Sequence, residues 1–179
     1  MTPTHLVSAG GTRIAVETVG EGPPLVLTTG ALQDRASVRL LAQTLADRAT
    51  VHLWDRHGRG DSEGVPDPRR DPVGPDGDAL VAAEVADLAA VTAAAGGVPL
   101  HYGHSAGAVL VLERCSGRGP SPWPRRSRTT SPSSPATRCR PTGSRAAAVP
   151  GARRRTLPGQ GHLVTPAVLA PVLADFLTG

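Results

Sequence analysis

A serine between two glycines, at the junction of a strand-like and a helix-like run, constrains this chain most. Residues 103–107 read Gly-His-Ser-Ala-Gly. They follow the apolar run 98–102, and the small and aliphatic run 106–112 begins within them. The pattern G-x-S-x-G in this setting predicts a sharp strand-to-helix turn that is too tight for a Cβ at either glycine. Such a turn holds Ser105 in a strained conformation with its hydroxyl exposed. It also directs the amide of Ala106 towards the oxygen of an attacked carbonyl.

Alternating strand-like and helix-like segments predict an α/β fold. A hairpin and three buried-type strands are expected over residues 5–8, 13–19, 25–28, 50–54 and 98–102. Amphipathic segments predict helices over residues 35–48, 79–95 and 106–114, the first capped by Asp34 and the second by Asp78. Because strands alternate with helices, parallel pairing with right-handed crossovers is favoured. We expect a mostly parallel sheet with an N-terminal hairpin and flanking helices.

Charge and composition change sharply in the last third of the chain. All nineteen basic residues are arginines, and eleven of them follow residue 112, against two acids. Residues 117–145 hold seven Arg, six Pro, six Ser and four Thr, with no Val, Ile, Leu, Met or Phe. Such a segment buries too little apolar surface to offset its ordering entropy, so we expect it to be disordered or poorly packed. The predicted organisation is a core at 1–116, this segment at 117–145, and the rest of the core at 146–179.

Foldable sequence returns after residue 146. A short strand is predicted over 152–157 and a Gly-rich loop over 158–162, followed by a terminal helix with Thr165 as its cap and Pro166 as its first residue. Apolar residues at helical spacing lie on one face of this helix, which predicts that this face docks on the sheet. They are Val168, Leu169, Val172, Leu173, Phe176 and Leu177.

Several other kinds of site and location are excluded by the sequence. Cys115 and Cys139 give neither a disulfide framework nor a metal spacing, and no two of the six histidines have metal spacing. We therefore expect no metal and no cofactor, with His57, His101 and His104 as packing residues. The N-terminus lacks the pattern of a signal peptide, and no run approaches membrane-spanning length. The predicted location is cytoplasmic, without a membrane partner.

Four motifs, in order along the chain, resemble those of the α/β-hydrolase superfamily. Residues 25–30 look like the family's third strand and oxyanion loop, with Thr-Gly in place of a His-Gly pair. Residues 55–62, Asp-Arg-His-Gly-Arg-Gly-Asp-Ser, resemble the D-x-R-G-x-G-x-S loop after the fourth strand. Residues 103–107 match the nucleophile motif, and 157–162 resemble the loop that carries the catalytic histidine.

This resemblance implies a role for four residues. Ser105 would be the nucleophile and His162 its general base, since a hydroxyl is a poor nucleophile at neutral pH without one. The amides of Ala106 and Ala31 would form the oxyanion hole.

The catalytic acid of the family is unknown in this chain. The family order is Ser, then Asp or Glu, then His, and the one acid between Ser105 and His162 is Glu113. Glu113 lies eight residues along the same predicted helix, about 12 Å up its axis at about 1.5 Å per residue, and cannot orient His162. Asp175 follows the histidine. The strand that should carry the acid and the cap region before it are missing.

The composition of residues 117–145 suggests a cause. With GC-rich codons assumed for residues 119–135 and read in a shifted frame, one allowed translation is an ordinary strand and loop rich in Ala, Leu and Val. Our hypothesis is that this segment comes from a frame-shifted or misassembled reading, with in-frame sequence lost before Ala146. Resequencing the gene tests it, because an uninterrupted frame would exclude it.

The resemblance implies an esterase-like serine hydrolase that acts on an ester or a similar small acyl substrate. The missing acid would weaken its activity. The alternative is a catalytically inactive pseudo-hydrolase or binding protein. A third candidate is non-specific nucleic-acid binding through the arginine-rich segment, although Trp123 is its sole stacking aromatic. We expect no specific nucleic-acid partner. Substrate, leaving group and oligomeric state are left open by the sequence.

Overall fold

The computed structural model describes residues 4–9, 11–64, 75–96, 98–115 and 155–178. The chain divides into two compact units, one of residues 1–123 with 165–179 and the other of residues 124–164. The predicted segment 117–145 lies outside the described residues.

Five strands form one sheet in the order β1-β2-β4-β3-β5. They are β1 Thr4–Ala9, β2 Thr12–Val19, β3 Pro24–Thr28, β4 Thr50–Trp54 and β5 Leu100–Gly103. The antiparallel hairpin β1–β2 pairs through β2 with β4, and β3 pairs in parallel with both β4 and β5. The predicted α/β class, with an N-terminal hairpin and a parallel core, is confirmed. The last strand begins two residues later than predicted, because Pro99 has no amide to donate to a neighbouring strand.

The helices are α1 Arg39–Leu45, α2 Pro75–Ala94, α3 Ala106–Cys115 and α4 Pro166–Thr178. As predicted, Asp34 accepts the amide of Ser37, at 3.3 Å, but it caps a 3₁₀ turn, Arg35–Val38, that precedes α1. The expected single helix over 35–48 is therefore two elements.

The prediction that Asp78 caps the second helix was wrong. Helix α2 begins at Pro75, so Asp78 lies inside its first turns. Proline favours the first helical position because its φ is already helical and its missing amide would have no partner there. The strand predicted over 152–157 is also wrong for its described part, since Arg155–Leu157 is not in a strand.

Helices cover both faces of the sheet. Helices α2 and α3 pack over one face, where the buried residues include Ile14, Val16, Val26, Trp54, Leu88, Val91 and Leu110. The alternate residues of β3 and β4 point to the other face, because successive side chains of a strand alternate. Helix α1 lies against β4 and buries Leu41, Ala42 and Leu45. Among the described helices, none has both the length and the apolarity needed to cross a membrane.

The terminal helix α4 packs against α1. Its buried residues are Leu169, Ala170 and Ala174, whereas Phe176 is 60% exposed. Thr165 and Pro166 begin this helix as predicted, but the expected face through Phe176 is not the packed one. Ala170 and Ala174 are small and buried, which allows α4 and α1 to approach closely.

Candidate active site

Ser105 lies on a strained turn between β5 and α3. Its φ is +53°, and among the described residues it is the one non-glycine with a positive φ. A Cβ on Gly103 would come within 2.5 Å of the backbone of Ala108, and one on Gly107 within 2.5 Å of the carbonyl oxygens of Thr28 and Thr29. Both glycines are therefore required, and the side chain of Ser105 is exposed on the turn they permit.

The loop after β3 packs directly against this turn. The amide of His104 donates to the Thr28 carbonyl at 3.0 Å, which continues the β3–β5 pairing into the turn. The side-chain oxygen of Gln33 accepts the amide of Gly30 at 3.0 Å and lies 2.9 Å from Nδ1 of His104. Because an amide oxygen only accepts hydrogen bonds, Nδ1 of His104 is the donor in this second bond. His104 is thus a packing residue, as expected, and Gln33 links the loop to the turn.

The two amides predicted for the oxyanion hole belong to these two elements. Around them, the amides of Gly107 and Ala108 bond back to the carbonyls of His104 and Ser105, at 2.9 and 3.1 Å. The amides of Ala106 and Ala31 make no hydrogen bond within the described part of the chain.

The loop after β4 is organised around a buried carboxylate. Asp55 is fully buried, accepts the amides of Arg35 at 2.6 Å and Asp61 at 2.9 Å, and forms an ion pair with the Arg35 guanidinium. A Cβ on Gly60, whose φ is +52°, would collide with this carboxylate. The first part of the motif at 55–62 is therefore structural.

The last residue of the same motif closes the loop onto the hairpin. The hydroxyl of Ser62 donates to the Asp55 carbonyl at 2.7 Å and accepts the amide of Ala15 on β2 at 2.9 Å. Both ends of the loop are thus fixed, and neither Asp55 nor Ser62 is available as a catalytic group.

A second buried group of charges connects this loop to α2. Glu84 is 4% exposed and forms ion pairs with Arg56 and, at 3.6 Å, with Arg59. Burial lowers the pKa of Arg59, as does the neighbouring Arg56, whereas Glu84 raises it. Neither Glu84 nor its neighbour Asp87 was predicted from the sequence, although both interrupt the apolar stripe of α2 at helical spacing.

Asp87 contacts the residue that occupies the arginine position of the D-x-R-G pattern. That residue is His57, whose Nδ1 lies 3.5 Å from a carboxylate oxygen of Asp87. Asp87 is 3% exposed, and burial, together with nearby Glu84, raises its pKa, while His57 lowers it. Asp87 and His57 therefore belong to the same buried group of charges as Glu84. Among the described residues, no group of three or more His, Cys, Asp and Glu side chains could hold a metal ion.

The predicted base lies in the other compact unit. Its described residues, 155–164, form a loop in which the amide of Gln160 approaches the carbonyl of Leu157 at 3.4 Å, and His162 is exposed. Asp175, the acid after it in the chain, is exposed on α4. The catalytic acid stays unassigned.

Solved structures with the same arrangement of elements identify the fold. An α/β hydrolase from Sphaerobacter thermophilus is 43% identical, with a TM-score of 0.54, over 64% of this chain and 41% of its own. This chain has the fold of the α/β-hydrolase superfamily. It spans 41% of the length of that hydrolase.

Other α/β-hydrolase folds are similar at lower identity. An epoxide hydrolase from Vigna radiata is 22% identical over 66% of this chain and 37% of its own, with a TM-score of 0.52. The epoxide hydrolase CorEH is 26% identical over 63% and 36%, with a TM-score of 0.51. No protein-family model and no curated protein matches the chain.

Proposed function

We propose that this α/β hydrolase acts on esters or similar small acyl substrates through Ser105. The observation that carries the proposal is the turn itself: a serine at φ +53°, exposed, beside two amides that lack hydrogen bonds within the described residues. A strained serine next to amides that have no partner among the described residues suits acyl transfer, because negative charge develops on the carbonyl oxygen during attack.

The proposed reaction has two halves. Ser105 Oγ attacks the carbonyl carbon while His162 takes its proton, and the amides of Ala106 and Ala31 stabilise the oxyanion. Its collapse expels the leaving group, which receives the proton from His162. Water, deprotonated by the same imidazole, then attacks the acyl-enzyme and releases the acid and free Ser105. His162 enters this proposal through the resemblance of its loop to the family's histidine loop.

The nucleophile favours acyl substrates over the epoxides named for two of the similar structures. Attack of a serine oxygen on a carbonyl gives an ester, which water can hydrolyse. Attack of the same oxygen on an epoxide carbon gives an ether, which has no carbonyl carbon for water to attack. An epoxide would therefore trap Ser105 without turnover.

Turnover is proposed to be slow. Loss of the carboxylate that orients the base lowers the rate by about 10⁴ in serine hydrolases. An inactive pseudo-hydrolase that binds an acyl compound is the second candidate, since the acid is unassigned.

Hydrolysis of p-nitrophenyl acetate by the wild type, Ser105→Ala, His162→Ala and Ser37→Ala tests the proposal. Ser37 is an exposed serine whose hydroxyl donates to the Asp34 carbonyl, so Ser37→Ala is the matched control. We expect weak turnover that is lost in Ser105→Ala and His162→Ala and kept in the control. Equal rates in the wild type and Ser105→Ala would exclude the enzyme and favour the pseudo-hydrolase.

A further inference from the structure

Two arginines hold the carbonyl groups of the loop that carries Ala31. Nη1 of Arg56 donates to the Thr29 carbonyl at 3.4 Å, and Nε of Arg59 donates to the Ala31 carbonyl. Arg59 also donates to the His57 carbonyl at 3.0 Å, which fixes its own position. The loop is therefore held by side chains from the neighbouring β4 loop and not by its own residues alone.

One carboxylate orients both arginines. Arg56 donates through Nη2 to one oxygen of Glu84, and Nη1 of Arg59 lies 3.6 Å from the other. The Glu84 side chain is 6% exposed, as is that of Arg56, so water screens this contact little. Charged donors and acceptors in such surroundings form strong and directional hydrogen bonds.

Hydrogen bonds to three successive carbonyl groups, those of residues 29–31, limit how the peptide groups of this loop can turn. In a trans peptide the carbonyl and the amide point in opposite directions. The carbonyl of Gly30 accepts the amide of Gln33 at 3.4 Å, so the amide of Ala31, in the same peptide group, points away from that bond. With the carbonyls of Thr29 and Ala31 also bound, the amide of Ala31 has little freedom to turn.

We propose that Glu84 is a positioning residue, which acts through Arg56 and Arg59 to hold the amide of Ala31 ready for the oxyanion. The proposal rests on the proposed function for its effect on rate, but its structural part, the ordering of residues 29–33, does not. Glu84 itself contacts no substrate in this account.

The test combines kinetics with amide hydrogen exchange in Glu84→Gln, Arg59→Gln and the double variant. Glu21→Gln, at an exposed residue, is the matched control. We expect kcat for p-nitrophenyl acetate to fall about tenfold or more in Glu84→Gln, with KM changed less than about threefold, because the oxyanion contact is made in the transition state. The double variant should lose no more than about twofold beyond Glu84→Gln, since both residues act through one contact.

Exchange at Gly30 gives a readout without catalysis. In the wild type this buried amide is bonded to Gln33 and should be protected; in Glu84→Gln it should exchange at least about tenfold faster, with Leu53 of β4 unchanged. If Glu84→Gln does not fold, Arg59→Gln, whose side chain is 25% exposed, carries the same expectation. Unchanged Gly30 exchange in folded variants would overturn the inference, as would an unchanged kcat in an active enzyme. If the wild type shows no Ser105-dependent turnover, the proposed function fails and the exchange result alone decides this inference.

Discussion

Two regions near the serine turn are held in different ways. The β4 side is strand β4 with the loop that follows it, and the β5 side is strand β5 with the serine turn. On the β4 side, every residue from Val51 to Arg56 is buried, and the following loop is fixed by Asp55, Ser62 and Glu84. On the β5 side, Leu100 is 41% exposed and the strand lies at an edge of the described sheet. The turn there is fixed by close backbone contact at Gly103 and Gly107. One side is thus held by buried charges and hydrogen bonds, and the other by steric fit.

This difference separates what each side contributes. A polar network can orient peptide groups at a distance, as Glu84 does for the loop at 29–31. Steric fit fixes a single backbone path, which is what the conformation of Ser105 needs. Substitutions on the two sides should therefore differ in their effects.

The largest effect is expected from truncation of the core strands. Leu27 of β3 is fully buried, so Leu27→Ala should lower the free energy of unfolding by about 2–5 kcal/mol. Leu100→Ala on β5 should lower it by less than about 1 kcal/mol, because the side chain is already partly exposed. Urea denaturation measures both, and equal losses would contradict the difference between the strands.

A somewhat smaller loss is expected from a methyl group at the serine turn. In Gly107→Ala the new Cβ meets backbone oxygens of Thr28 and Thr29, which cannot rotate away, so we expect a loss of about 1–3 kcal/mol. In the control Gly161→Ala, the new Cβ meets no described atom within 4 Å, chain neighbours aside, and stability should change by less than about 0.5 kcal/mol. The same urea experiment decides it; a stable Gly107→Ala protein would show that the contact is not tight.

A pH-dependent effect should be shared by both sides. His52 on β4 and His101 on β5 both lie opposite Val26. Burial lowers the pKa of each, and Arg114 lowers that of His101 further. The two histidines therefore bind protons more readily in the unfolded chain, where their pKa is about 6.5, than in the folded protein. The folded state keeps its full stability above about pH 6.5 and loses stability as the pH falls towards the lower folded-state pKa values.

Denaturation at about pH 7.5 and about pH 5.5 measures this loss. Replacing His52→Asn and His101→Asn should make the decrease in unfolding free energy smaller, with each unit of pKa difference removed corresponding to about 1.4 kcal/mol. The same decrease in the wild type and the double variant would show that other groups cause it.

The smallest effect is expected at Glu113. It lies on α3 eight residues after Ser105, and we expect this position to be too far along the helix for Glu113 to orient the base. Glu113→Gln should therefore change Ser105-dependent turnover by less than about twofold. A loss of tenfold or more would identify it as the acid after all.

The sequence predicted those parts of the fold that depend on local pattern. Apolar runs located the strands, and the G-x-S-x-G spacing located the strained turn, because only that turn needs glycine at both flanks. The start of α2 was wrong because Asp78 and Pro75 offered competing signals within three residues. The packed face of α4 was wrong because a run of apolar residues does not say whether the partner is a sheet or a helix.

The network around Glu84 could not be predicted from the sequence. An acid in an apolar helical stripe indicates a buried ion pair, but its partners lie 25 and 28 residues away and are chosen by the tertiary fold. The role of His162 as the base of Ser105 comes from the family resemblance of its loop.

Labelling with an activated phosphonate tests the central claim most directly, because the reagent forms a covalent bond only with an activated serine. Mass spectrometry of the digested protein should find one adduct, on the peptide that contains Ser105. The adduct should be absent from Ser105→Ala and present in Ser37→Ala. A wild-type protein that carries no adduct on Ser105, or an Ser105→Ala protein labelled to the same extent, would contradict the account.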